Sequence, residues 1–246
     1  MIESEMCRLP TYLAVHLYDE DSLRRLLIKI RPLLHTASEI WFSSSNKGLL
    51  EQASKSRLCA DKHVRTFEVD NRWHDWSGYL AFLGACKSTD RLIICNDSIL
   101  TRRFVSNYTL HRFLLSIDVS RPAIIGELDT AQNSVDLKCW SSACWISTYL
   151  FAIQGFPVDV KQLEVEVESC INHMESNPNH FFNRYLTRRR SNIVAGNHSV
   201  RSKLGAMFFE RYLTRFAIER GASIINYCAG SRVRKIERLL ERLRDE

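Results

Sequence analysis

The sequence predicts an α/β fold, an open, mostly parallel sheet with flanking helices. Three observations carry that expectation. Short apolar runs alternate with helical periodicity through the first 126 residues, the pattern of strand–helix–strand units. One run, RLIIC at 91–95, is continuously apolar after Arg91, as a central parallel strand covered on two faces requires. Gly (9) and Pro (5) are scarce in 246 residues, so no linker divides the chain and a single domain over 1–246 is expected. Residues 1–130 and 131–246 are expected to be the two halves of that domain.

In chain order, TYLAVHL (11–17) reads as a buried strand, and Asp19, Asp21 and Ser22 are possible helix caps after it. Leu23, Leu26, Leu27 and Ile30 recur at helical spacing, and Pro32 is expected to end or bend that helix. EIWFS (39–43) and VRTFEV (64–69) are the next strands, with a short helix at 46–57 between them. A polar turn at 70–75 leads into a helix at 76–88, then the strand 91–95. A helix at 107–117 precedes Pro122 and the strand AIIG (123–126). After a polar loop, WISTYLFAI (145–153) reads as a strand. Helices follow at 159–175 and 201–220, the latter stopped by Gly221. SIINY (223–227) is a last short strand, and Val233, Ile236, Leu239, Leu240 and Leu243 line one face of a terminal helix.

Composition excludes several classes. Hydrophobic residues at 45% and charged residues at 25% are those of a globular protein, not of a disordered one. No window approaches 18 apolar residues, and MIESEMCRLP lacks the apolar core of a secretory signal, so a cytoplasmic location is expected. The eight cysteines show no CxxC and no zinc-finger spacing, and most sit in apolar runs, as reduced core thiols do. Charge is uneven. Residues 184–246 hold 15 Lys/Arg against 6 Asp/Glu, while residues 1–183 hold 19 against 22. A basic C-terminal quarter suits an anionic partner, whether nucleotide phosphate, anionic lipid or nucleic acid, and equally suits a solvated helical face.

In open α/β sheets ligands bind beyond the carboxyl ends of the strands. Two polar clusters are expected on that edge: Asn71-Arg72-Trp73-His74-Asp75 after the third strand and Asn96-Asp97-Ser98 after the fourth. A carboxylate so placed suits a divalent cation or a ribose hydroxyl. It equally suits an ordinary helix N-cap.

The order strand, N-x-x-x-D, helix, apolar strand, Asp-containing turn resembles the first half of a GT-A glycosyltransferase. A closer resemblance is to the rhamnan synthesis F family of bacterial polysaccharide glycosyltransferases. It rests on YLAVHLYDEDSL (12–23), NRWHD (71–75), IICNDSIL (93–100), WSSACWISTYLFAIQ (140–154) and FFERYLTRFAIERGASIINY (208–227). Two departures stand out. Trp73 occupies the place of the family's usual Gly, and Asn96 and Ser98 replace the flanking carboxylates of a DxD motif, leaving Asp97 alone with a full charge.

The resemblance implies a GT-A-like fold, a nucleotide-sugar donor and a polysaccharide or lipid-linked glycan acceptor. It assigns Asn71 and Asp75 to the nucleotide, and Asn96, Asp97 and Ser98 to the diphosphate and to any Mg²⁺ or Mn²⁺ held by Asp97. A site without metal, using basic residues, is the alternative. Glu127 or Asp129, just after AIIG, would be the base, and Arg72 or an arginine of 188–190 such as Arg189 would face phosphate. Glu210 matches the family's late Glu. The rival within the same fold is a non-catalytic relative that binds carbohydrate or a partner transferase. The basic terminal helix suits peripheral contact with an anionic membrane. No nucleic-acid motif is present.

Overall fold

The computed structural model describes residues 10–87, 89–101, 105–117, 121–137, 140–176 and 200–227. Seven strands form one sheet: β1 (Thr11–His16), β2 (Glu39–Ser44), β3 (His63–Glu68), β4 (Arg91–Asn96), β5 (Ala123–Leu137), β6 (Trp140–Gln154) and β7 (Ser223–Asn226). Their order is β3-β2-β1-β4-β6-β5-β7. Every strand runs parallel except β6, which lies antiparallel between β4 and β5. The expected open, mostly parallel α/β sheet is therefore what the chain forms.

The helices are α1 (Glu20–Lys29), α2 (Arg31–Thr36), α3 (Lys47–Ser54), α4 (Asp75–Ala85), α5 (Ser98–Thr101), α6 (Asn107–Ser116), α7 (Val160–Glu175) and α8 (Val200–Glu219). Side-chain caps start several of them: Asp19 accepts from Asp21 N–H, and Asn46 from Leu49 N–H. Ser106 and Thr109 close a reciprocal capping box on α6. Pro32 does not simply end a helix. It occupies the first turn of α2, where its missing N–H leaves no bond unmade, so the break falls at Ile30.

Alternation along the strands builds two cores. Leu13, Val15, Ile93 and Cys95 face one side with α1, α2, α3 and α6. Ala14, Leu92 and Ile94 face the other, under α4, α7 and α8. Helix α4 is buried nearly all round, because α7 and α8 lie over it while it lies over the sheet. Hence DWSGYLAFLGA is apolar on every side rather than striped. Cys59 and Cys95 are buried thiols, as expected, Cys170 is buried with its sulfur 3.0 Å from the Tyr212 hydroxyl, and Cys86 is half-buried.

The largest departure from expectation is the β5–β6 hairpin. Residues 127–144 read as a polar loop, yet β5 continues to Leu137 and β6 begins at Trp140. The ladder shifts register between Gly126 and Glu127 and again between Thr130 and Val135. Such irregularities break the apolar alternation that marks a strand in sequence. Among the described residues no helix is long and apolar enough to cross a membrane. The basic helix expected at 231–245 lies outside the described residues.

Candidate functional site

Chain direction around the sheet reverses between β1 and β4. From β1 the chain moves outward to β2 and β3, then returns to add β4 on the other side. Such a switch point opens a crevice at the carboxyl ends of the two strands. Here His16 and Asn96 are register partners on its two lips.

Asn96 joins the two sequence clusters. Its Nδ2 donates to Asp75 Oδ2 at 2.7 Å, and its Oδ1 accepts from Ser98 N–H at 3.1 Å. The second bond fixes the amide so that its donor end faces Asp75. An Asp at position 96 would set carboxylate against carboxylate, which accounts physically for Asn at this point of the expected DxD. Asp97 is held by backbone rather than by Asp75 or Asn96: its carboxylate accepts from the N–H groups of Tyr18, Asp97 and Ser98 and lies near Asp19, so it ties the ends of β1 and β4 together beside Tyr18. Burial raises its pKa to about 6, against the pull of the backbone donors.

Asp75 opens α4 directly after a strained residue. His74 has φ 58° and ψ −137°, the one positive φ outside glycine among the described residues. The positive φ therefore falls one residue after Trp73, the position where the family resembled in sequence usually has Gly. The twist sends Trp73 into the core and Asp75 toward Asn96. Trp73 is buried against α8, edge-on to Phe209, and a Cβ at Gly205 would collide with its ring. Helix α4 also approaches the sheet closely. A Cβ at Gly78 would meet Ser43 Oγ and His16 Nδ1, which are hydrogen-bonded at 2.8 Å. Burial, reinforced by His74, depresses His16 to about 3, so its imidazole is neutral.

The far wall comes from β6 and α8. Glu210 Oε1 accepts from Thr148 N–H at 3.1 Å and Thr148 Oγ1 at 2.7 Å. Burial raises the pKa of Asp75 to about 7; the Glu210 carboxylate adds to that shift, and Lys203 and Asn96 oppose it. Burial likewise raises Glu210, against Thr148, Arg211 and Lys203. Tyr18 packs edge-on to His16 at 4.5 Å, and its hydroxyl is pushed up by burial and then by Asp75 and Asp97. These groups make a half-buried crevice with two carboxylates, one lysine and fixed amide and hydroxyl donors. It can hold a polar ligand and exchange a proton near neutral pH.

The other sequence candidates are distributed differently. Ser98 starts α5. Asn71 is exposed, and Arg72 reaches α7, pairing with Glu168 and stacking over Trp73 at 4.8 Å. Glu127 does not join the crevice. Because β5 continues past Gly126, its side chain turns to the opposite face, is buried, and accepts from Tyr149 OH, which contacts Tyr227 OH at 3.1 Å. The side chain of Asp129 and all of Arg189 lie outside the described residues. Trp145 stacks on Arg211 at 4.0 Å, and Trp140's side chain is outside the described set.

Among the described residues no three His, Cys, Asp or Glu side chains gather as a metal-binding set. Asp97 offers one carboxylate, and the Asn96 oxygen is taken by Ser98 N–H. These residues do not by themselves fit a Mg²⁺ or Mn²⁺ clamp, and no step is derived through a metal. The residue that sequence reasoning undervalued is Glu210. Its signal was present: Ala206, Glu210, Leu213 and Ala217 form a stripe at helical spacing in which Glu210 alone is charged.

No protein-family model matches the chain, and no curated protein matches it. Among solved structures, a 4-diphosphocytidyl-2C-methyl-D-erythritol synthase superposes on 95% of this chain and 99% of its own, at 10% identity and a TM-score of 0.42. A mannose-6-phosphate isomerase from Helicobacter pylori superposes on 63% of this chain and 74% of its own, at 10% identity and a TM-score of 0.33.

Proposed function

We propose that this chain is a glycosyltransferase that moves a sugar from a nucleotide-sugar donor to a cell-surface polysaccharide or glycolipid acceptor. One observation carries the reading: the Asn96–Asp75 hydrogen bond unites the N-x-x-x-D and N-D-S segments at the sheet's switch point. These are two of the five segments on which the resemblance to rhamnan synthesis F proteins rests. In the reaction the acceptor oxygen bonds to the anomeric carbon, and the bond from that carbon to the diphosphate oxygen breaks, its electron pair leaving with the nucleoside diphosphate. A base takes the acceptor's proton, and positive charge with fixed donors meets the developing diphosphate charge. Lys203 on α8 is the described cation beside Asp75 and Glu210, and Arg189 remains a further candidate for phosphate.

The test is a thermal-shift screen of nucleoside diphosphates and nucleotide sugars, with and without Mn²⁺, on wild type and Asp97→Ala. A ligand at about 100 times its Kd adds about 2.7 kcal/mol, roughly 5 °C or more for a chain of this size. Stabilisation by one nucleotide class, lost in Asp97→Ala, is expected. No shift with any donor overturns the reading. The replacement of DxD carboxylates by Asn96 and Ser98, with Asn96 engaged internally, favours a second reading, a non-catalytic relative that binds carbohydrate or a partner transferase. That reading predicts stabilisation by glycans and no release of nucleoside diphosphate.

A further inference from the structure

We propose that Asp75, which the resemblance assigns to the nucleotide, is instead the proton-accepting group of this site, with Asn96 as its positioning residue and Glu210, anchored by Thr148, on the facing wall. The assignment deepens the transfer reading and, as a catalytic role, rests on it. Among the acids expected to serve as base, Glu127 is occupied by Tyr149 on the opposite face of the sheet. Asp75 instead stands in the crevice, half-buried, on the first turn of α4, with one oxygen held by Asn96. Asn96 cannot rotate to release it, because its own oxygen is held by Ser98 N–H.

Glu210 arrives from the opposite wall and is fixed by two donors from Thr148. The groups facing Asp75 are therefore one carboxylate (Glu210), one ammonium (Lys203), one amide (Asn96) and the phenols of Tyr18 and Tyr79. Tyr79 OH donates to Thr148 O at 2.9 Å and is not itself a proton source for Asp75. The like-charged Glu210 and the loss of water favour protonated Asp75, while Lys203 and Asn96 favour the carboxylate. The balance falls near neutrality, where a carboxylate both accepts a proton readily and returns it to solvent. In transfer, the acceptor O–H proton passes to Asp75 as the new glycosidic bond forms, and leaves to water after the nucleoside diphosphate departs.

The experiment has a substrate-free arm and a turnover arm. In the first, the protein is labelled with ¹³C at aspartate carboxyls, Asp75 is assigned by its absence in Asp75→Asn, and its signal is titrated. We expect a midpoint near pH 7 in wild type, about one pH unit lower in Glu210→Gln, and higher in Asn96→Asp. A midpoint in the ordinary aspartate range, or one unmoved in both variants, overturns the proposal.

In the second arm, hydrolysis of the nucleotide sugar that stabilises wild type is followed as release of nucleoside diphosphate against pH. The acid limb should move with the titration in each variant. Asp75→Asn should lose at least about 100-fold in kcat with donor affinity within about threefold. Loss of donor binding in Asp75→Asn would make Asp75 a donor ligand and overturn the assignment. Absence of hydrolysis by wild type, with the coupled titration intact, defeats the transfer reading and with it the catalytic role. The coupled titration of Asp75 and Glu210 would then still stand.

Discussion

Two carboxylates of this protein, half-buried Asp75 at the start of α4 and buried Glu127 within β5, have surroundings that differ in kind. Asp75 sits at the switch point among Asn96, Glu210 and Lys203, in a crevice with charge on two walls. Glu127 sits on the other face of the sheet, its carboxylate held in a cluster of tyrosine hydroxyls on β6 and after β7. The first is surrounded by a second carboxylate, an ammonium group and a fixed amide, the second by phenol hydroxyls. The comparison teaches that position after a strand does not make a functional acid. What matters is whether the strand has ended and which face the next residue takes.

The largest expected effect sharpens the structural side. Tyr149→Phe removes a donor from buried Glu127 and should cost about 2–3 kcal/mol, lowering Tm by roughly 5 °C or more while nucleotide-dependent stabilisation is unchanged. Calorimetry with and without donor checks it, and loss of donor binding would move Glu127 to the functional side.

The next effect has the opposite sign. Asp75 binds its proton more tightly folded than unfolded, so between pH 3.8 and about 7 the folded state keeps a proton that the unfolded chain releases. Stability from this group therefore falls as pH rises through that window. Asp75→Asn removes the penalty and should gain about 2 kcal/mol at pH 8 by chemical denaturation. A destabilised Asp75→Asn at pH 8 would break the contrast with Glu127.

A smaller effect concerns acid. His16 is depressed from 6.5 to about 3, so its contribution is present above pH 6.5 and is lost as pH falls toward 3. In wild type the Asp75 and His16 slopes oppose each other between pH 3.8 and 6.5. In Asp75→Asn the His16 slope is no longer opposed by Asp75, so that variant should lose stability on acidification more steeply than wild type. Unfolding midpoints at pH 4.5, 6 and 8 decide this.

The smallest effect is at Arg72. Its exposed pair with Glu168 is worth about 0.5 kcal/mol or less, so Arg72→Ala should leave Tm nearly unchanged. A fivefold loss of donor affinity in that variant would return Arg72 to the phosphate role expected from sequence.

Much of the sheet was legible because β1, β2 and β4 are short apolar runs followed by helix caps. The crevice was legible as far as chain order reaches: Asp75 comes after β3 and Asn96 closes β4, 21 residues apart. Glu127 was misleading because the polar stretch after Gly126 hides a continuing strand, in which Glu127 keeps the alternation of Ile125 and faces the core opposite the crevice. Glu210 needed the fold. It meets Thr148 across 62 residues, and no local pattern encodes that contact, although its place in an otherwise apolar helical stripe marked it as unusual.

The close approach at Gly78 also says how relatives of this chain should be sought. Any side chain there would displace both Ser43 and His16, so the three positions can change only together. A distant homologue that keeps this crevice should show a histidine closing its first strand, a small hydroxyl residue near the end of its second, and D-x-x-G opening the fourth helix. That correlated triplet, spread over 63 positions from His16 to Gly78, is a sharper evolutionary fingerprint than the N-D-S tripeptide alone.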